Sequence, residues 1–127
     1  MTSRSRAAAV VDTDILVDHL RGHRRLQVER ALAYSTVSRA ELFAGTDSVA
    51  VIRTLLDALV EVDLDRTIAE TAGGIRRSRG LAMPDAIVAA TALGLGVPLV
   101  TRNARHFRGI AGLIVTSTVG SLGQGDR

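Results

Sequence analysis

Short apolar runs alternate along this chain with longer segments in which apolar residues recur at helical spacing. The runs AAAVVD (7–12) and AYSTVS (33–38) predict strands, and LVEVDL (59–64) alternates between apolar and polar residues as a strand does. PLVT (98–101) and LIVTS (113–117) predict two more strands near the C-terminus. The chain therefore has the pattern of a protein that contains several short strands.

The segments between these runs predict helices. Ser38 stands three residues before Glu41, which is the S-x-x-E pattern of a helix N-terminal capping box. Gly73 and Gly74 fall inside one predicted helix, and each disfavours it by about 1 kcal/mol relative to alanine. The predicted helices are DILVDHLRG with Gly22 as its stop, RRLQVERALA (24–33), RAELFAG (39–45), 48–59, 65–79, and 84–95 with Gly96 as its stop.

Strands that alternate with helices predict an α/β fold with a mostly parallel sheet covered on both faces. The length of 127 residues suits one domain. We therefore predict a single domain over 1–127, with GSLGQGDR as a loose C-terminal tail. In open sheets of this kind, ligands bind outside the carboxyl ends of the strands.

Composition excludes several classes of protein. The chain has no cysteine, which excludes disulfides, thiolate zinc sites and cysteine nucleophiles. All 16 basic residues are arginine, so lysine-dependent phosphate sites such as the P-loop are excluded too. Asp12 interrupts the only candidate signal-peptide core, and the apolar run 86–100 is too short to span a bilayer. We expect a soluble, cytoplasmic protein without membrane contact.

Polar residues stand at matching positions in four of the predicted units. Asp12 closes the first strand, Glu41 lies just past the second, Asp85 begins a helix, and Asn103 follows the strand PLVT. In a parallel sheet these residues meet at one edge, where clustered carboxylates persist only if their charge is matched. Oxygen ligands without cysteine suit Mg²⁺ or Mn²⁺, the ions of phosphodiester hydrolysis.

Three motifs in order, VVDTDILVDHL, STVSRAELFAG and MPDAIVAATALGLGVPLVTRNARHF, resemble the PIN-domain ribonucleases, most closely the VapC-type toxins of bacterial toxin–antitoxin pairs. The resemblance covers roughly residues 8–116, which leaves 117–127 as the tail. It implies a three-layer α/β/α sandwich and a Mg²⁺- or Mn²⁺-dependent endoribonuclease that cleaves tRNA, rRNA or mRNA. It also implies a homodimer and inhibition by a cognate VapB-type antitoxin that covers the active-site groove.

The resemblance also assigns the site. The family's acids fall on Asp12, Glu41 and Asp85, and Thr13 matches a position that supports them, as does Ser38. The fourth polar position, often an aspartate in the family, is Asn103. Asparagine offers a neutral oxygen to a metal or a bound water, so the sequence leaves one metal and two metals as alternatives.

Several residues keep two interpretations. Glu41 is either a metal ligand or the capping partner of Ser38, and Asp14 is either a helix-capping acid or an outer group of the site. His106 and Phe107 are interpreted as a partly buried pair that closes the last unit, in preference to a general base and a base-stacking platform. The arginines beside the site either guide RNA phosphates or form a solvated basic face: Arg39, Arg102, Arg105 and Arg108.

Two other functions remain as alternatives. Because Asn103 leaves the acid set incomplete, the chain could be a PIN-like interaction module that has lost catalysis and acts through a protein partner. The motif DTD (12–14) suggests a phosphatase, but the absence of lysine removes the phosphate contact on which that family relies.

Overall fold

The computed structural model describes residues 7–27 and 30–118 of the chain. The strands are β1 (Ala9–Val11), β2 (Leu32–Ser35), β3 (Val60–Val62), β4 (Leu99–Val100) and β5 (Val115–Thr116). The helices are α1 (Thr13–Leu20), α2 (Thr36–Ala44), α3 (Val49–Asp57), α4 (Arg66–Arg79), α5 (Met83–Leu95) and α6 (Ala104–Phe107).

The strands form one five-stranded sheet in the order β3-β2-β1-β4-β5, and every pair is parallel. Val10 of β1 pairs with Ala33 on one side and with Leu99 on the other. Because all strands run in one direction, their carboxyl ends lie along a single edge. This arrangement confirms the prediction of a parallel α/β sheet.

Alternate side chains of the strands enter two separate cores. Val10, Ala33, Val62 and Leu99 are buried against α4 and α5, whereas their neighbours along the strands, such as Tyr34, are buried on the opposite face against α1, α2 and α3. Side chains of a strand point alternately to its two faces, so both faces need a helical cover. The result is the expected three-layer sandwich.

Short polar side chains and glycines set the helix boundaries. Ser35, Ser48 and Asp65 each accept a hydrogen bond from a backbone N–H in the first turn of the helix that follows. Gly80 and Gly96 end α4 and α5 with φ of 74° and 69°, a left-handed conformation that favours glycine. The helix that the sequence predicts over 65–79 is continuous through Gly73 and Gly74.

Two predictions about the first half of the chain are wrong. RRLQVERALA does not form the predicted α-helix in its described part, because Leu26 is buried in the loop, with its N–H donating to His19 Nδ1 at 3.0 Å, and Leu32 already belongs to β2. The strand predicted over 33–38 ends at Ser35, whose side chain caps α2. Ser38 therefore lies inside α2, and the capping box with Glu41 does not exist.

Other differences are small. The four-residue helix α6 was not predicted from the sequence. Residues 119–127 of the predicted tail lie outside the described residues. No helix in the described part of the chain is long and apolar enough to cross a membrane.

Candidate active site

Asp12 lies at the centre of the carboxyl edge, directly after β1. Its backbone N–H donates to the Val100 carbonyl at 2.9 Å, which extends the pairing of β1 with β4. Its side chain caps α1 by accepting from the Thr13 N–H at 2.8 Å, and its Oδ2 accepts from the Thr101 hydroxyl at 2.8 Å. Asp12 is 7% exposed, so the fold holds a carboxylate almost out of solvent.

Burial and neighbouring acids raise the pKa of Asp12 from 3.8 to about 6. Burial is the largest cause, the charge of Asp14 is the next, and the charge of Asp85 adds a smaller increase. The hydrogen bonds from Thr101 and Thr13 oppose this rise and lower the pKa. The charged form of Asp12 is therefore disfavoured mainly by burial and next by the charge of Asp14, beyond what its hydrogen bonds offset.

Asp14 belongs to the same edge. Its Oδ2 lies 3.3 Å from Thr101 Oγ1, and its Oδ1 accepts from the Arg102 N–H at 3.3 Å. Asp14 is thus tied to the loop after β4, although Asp12 and not Asp14 caps α1. The structure favours Asp14 as an outer group of the site over the interpretation as the capping acid.

Glu41 contacts the site through a hydroxyl group. The Thr13 hydroxyl donates to Glu41 Oε1 at 2.6 Å, and the same Thr13 oxygen lies 2.8 Å from Ser38 Oγ. Ser38 is buried whereas Glu41 is exposed, so the carboxylate lies at the solvent side of this contact. α2 therefore directs Glu41 toward the start of α1 and not back along its own axis.

Asp85 lies in the first turn of α5, where the proline at N1 or N2 and the helix dipole favour an acid. Its Oδ2 lies 3.1 Å from His106 Nε2, and the side chains of Asp85 and His106 are 36% and 41% exposed. The His106 ring meets Phe107 edge to face, with centroids 5.3 Å apart. Phe107 is buried, as the sequence predicts, but His106 is exposed and contacts the site.

Asn103 reaches the site through its backbone. Its N–H donates to Thr101 Oγ1 at 3.1 Å, the hydroxyl that in turn donates to Asp12. The Asn103 side chain makes no capping hydrogen bond to α6, and the residue is exposed. The structure thus joins Asp12, Thr101 and Asn103 in one chain of hydrogen bonds.

Two side chains at this edge were missed by the sequence reasoning. Thr101 is fully buried and contacts both Asp12 and Asp14, and its position at the end of a predicted strand was the available signal. Asp18 is buried in α1 and pairs with Arg102 Nη1 at 2.6 Å. Arg102 is therefore bound to the protein itself, while Arg105 and Arg108 are exposed.

The four predicted metal ligands, Asp12, Glu41, Asp85 and Asn103, do not form a preformed coordination site. Among residues 7–27 and 30–118, no three acidic or histidine side chains converge closely enough to form a metal cluster. Mg²⁺ does not need such a cluster, because one or two carboxylates plus waters usually hold it. Buried Asp12, with two acids nearby that raise its pKa, fits the need for a hard cation.

The comparisons with known proteins agree with this geometry. The PIN domain family matches residues 9–113. Ribonuclease VapC19 of Mycobacterium tuberculosis is 34% identical over 113 residues, which cover 77% of this chain and 90% of that protein. The chain is thus similar to a curated ribonuclease over most of the length of both proteins.

Solved structures are similar over the same range. A toxin–antitoxin complex from Klebsiella pneumoniae contains a chain that is 30% identical, with a TM-score of 0.72, and the match covers 86% of this chain and 96% of that one. DNA-bound VapBC from Salmonella typhimurium matches with a TM-score of 0.73 at 22% identity, covering 85% and 96%, and supports the fold alone. With its parallel sheet, its acids at the carboxyl edge and these similarities, the chain belongs to the PIN-domain family.

Proposed function

We propose that this protein is a metal-dependent endoribonuclease toxin, which hydrolyses RNA phosphodiester bonds and is neutralised by a cognate antitoxin. The observation that carries the proposal is Asp12, a buried acid whose pKa is raised beside Asp14 and Asp85 at the carboxyl edge of a PIN sheet. A related ribonuclease and a structurally similar toxin–antitoxin complex support the RNA substrate and the partner.

Asp12 and Asp85 would hold Mg²⁺ or Mn²⁺, with Glu41 and Asn103 completing the set directly or through water. When bound, the ion would lower the pKa of a water molecule and neutralise charge on the phosphate group. PIN ribonucleases are generally metal-dependent, and the donor set consists of oxygen atoms, which such ions prefer.

The residues around these ligands fix their orientation. The Thr101 hydroxyl donates a hydrogen bond to Asp12 and accepts one from the Asn103 N–H, so it links the end of β1 to the loop after β4. Thr13 holds Glu41 at 2.6 Å. Because carboxylates that are held in place need no rearrangement during the reaction, this positioning favours catalysis.

The first test replaces single acids with amides. We expect Asp12→Asn and Asp85→Asn to lower cleavage of a labelled RNA at least 100-fold, because each removes a charge that holds the ion; this size is on the order of one electrostatic catalytic contact. Asp57→Asn, at the exposed end of α3, is the matched control and should cut at the rate of the parent. Each variant should melt cooperatively, and full activity in Asp12→Asn would contradict the proposal.

The same assay tests the partner. A short DNA-binding protein encoded next to this chain should abolish cleavage when it is mixed in equal amount. Manganese titration by calorimetry separates the two parts of the proposal. If the chain bound no manganese and cut no RNA, it would be a PIN-like interaction module.

A further inference from the structure

A second polar surface lies on α2, on the side away from Glu41. Thr36, Arg39, Ala40 and Phe43 of α2 and Arg53 of α3 line an open cavity of about 360 Å³, called here the α2–α3 pocket. Thr36, Ala40 and Phe43 are four and three residues apart, so they share one face of the helix. Glu41 lies on a different face and contacts Thr13.

The two arginines of the pocket flank an aromatic ring. The guanidinium carbon of Arg53 lies 5.6 Å from the centroid of the Phe43 ring, and that of Arg39 lies 6.0 Å from the same centroid. Such distances are within the range of cation–π contacts. The pocket thus presents cationic planes beside an apolar ring.

One of these arginines is fixed by the protein and the other is free to bind. Arg39 Nε pairs with Glu61 Oε1 at 2.6 Å, and Arg39 Nη2 donates to the Tyr34 hydroxyl at 2.9 Å. The Tyr34 hydroxyl also donates to Glu61, so Arg39 is held from two sides. Arg53 is exposed and has no ion pair within the described part of the chain, so the pocket keeps an uncompensated positive charge.

One end of the pocket, at Thr36, lies at the same edge of the sheet as the acids. Thr36 directly follows Ser35 at the carboxyl end of β2, and β2 pairs with β1, which Asp12 directly follows. Adjacent strands of a sheet are about 5 Å apart, so the residues that directly follow β1 and β2 are close neighbours. A nucleic-acid strand that passes Asp12 along this edge reaches Thr36 next.

We propose that the α2–α3 pocket binds one nucleotide of single-stranded RNA next to the cleaved phosphodiester bond. The base stacks on Phe43 and the guanidinium planes beside it, and Arg53 contacts a phosphate group. This inference rests on the proposed ribonuclease function. An anionic strand suits the pocket better than an uncharged protein surface, because Arg53 is exposed and has no ion pair in the described part of the chain.

The test measures RNA affinity without cleavage. A fluorescent single-stranded RNA oligonucleotide is titrated with full-length protein in EDTA, and binding is followed by anisotropy. We expect Phe43→Leu and Arg53→Gln each to raise Kd about tenfold, the size of one stacking contact. Phe43→Leu keeps apolar packing, and Arg66→Gln, which removes an exposed arginine at the start of α4, should leave Kd unchanged.

Salt dependence separates the two contacts. Arg53→Gln should reduce the slope of log Kd against log salt by about 0.7, the value of one phosphate contact on a single strand. Phe43→Leu should leave that slope unchanged because it removes no charge. A melting temperature close to that of the parent establishes that each variant is folded.

The outcomes are distinct from those for the proposed function. Unchanged Kd in both pocket variants, with a parent that cuts RNA in manganese, would overturn this inference and leave the ribonuclease intact. A parent that cuts no RNA would refute the proposed function and, with it, the cleavage-site placement. If RNA affinity is unchanged and inhibition by the neighbouring-gene protein is lost, the pocket is a protein site and the RNA assignment is wrong.

Discussion

At the scale of single residues, the buried carboxylate of Asp12 opposes stability. Its carboxylate is 7% exposed, and burial disfavours the charged form. The hydrogen bonds from Thr13 and Thr101 recover only part of that cost, since the pKa remains raised to about 6. An acid of this kind is expected where a bound cation supplies the missing charge.

This conflict predicts a pH-dependent stability difference between the parent and Asp12→Asn in EDTA. The folded pKa of about 6 exceeds the unfolded value of 3.8, so the folded state binds the proton more tightly. The contribution of Asp12 to the free energy of unfolding is therefore largest below pH 3.8 and is lost as pH rises through about 6.

Asparagine does not titrate, so the free energy of unfolding of the variant should rise relative to that of the parent between pH 4 and 8, by on the order of 3 kcal/mol. Urea unfolding at several pH values measures this change. Asp57→Asn, at an exposed site, should show no comparable trend. A stability difference for Asp12→Asn that stayed constant with pH would mean that the pKa of Asp12 is not raised.

At the scale of elements, periodicity predicted most of the fold. The helix predicted over 65–79 matches α4, which the structure shows to be capped by Asp65, and Gly96 ended α5 as expected. The helix predicted for RRLQVERALA was wrong. The apolar spacing of the segment suits a helix, but Leu32 and Ala33 pair with β1. Local pattern does not reveal a tertiary pairing that overrides it.

The same limit applies to the site. The strand-end rule pointed to Asp12, Glu41 and Asn103, but it could not show that Thr101 joins Asp12 to Asn103. That contact spans 89 positions between Thr101 and Asp12, and it depends on the pairing of β1 with β4. The contact made by such a hydroxyl can be identified only when the sheet order is known.

The start of α2 gives a prediction at this scale. Ser35 accepts from the Val37 N–H at 3.1 Å, whereas Ser38 lies inside the helix beside Thr13. Ser35→Ala should therefore lower the free energy of unfolding by about 1 kcal/mol through loss of the cap. Ser38→Ala keeps that cap and should instead change kcat, because it removes a polar neighbour of the Thr13–Glu41 contact. If Ser38→Ala and the parent have the same kcat, the Ser38 side chain contributes only to packing.

At the scale of the whole molecule, the strand order brings distant parts of the chain to one edge. β1 lies between β2 and β4, so the residues that follow these three strands become neighbours. The ion pair between Asp18 and Arg102 adds a bond across 84 positions, from α1 to the loop that carries Asn103.

The pair supplies the last prediction. Asp18 is 6% exposed and Arg102 is 58% exposed, so solvent weakens the pair but does not replace the guanidinium around the carboxylate. Arg102→Gln should lower the free energy of unfolding by about 1 to 2 kcal/mol, because it leaves Asp18 buried without its charged donor. Adding Asp18→Asn should restore part of that loss, which a double-mutant cycle in urea measures. Arg105→Gln, at an exposed arginine of α6, is the control, and an equal effect of the two arginine variants would show that the pair adds no stability of its own.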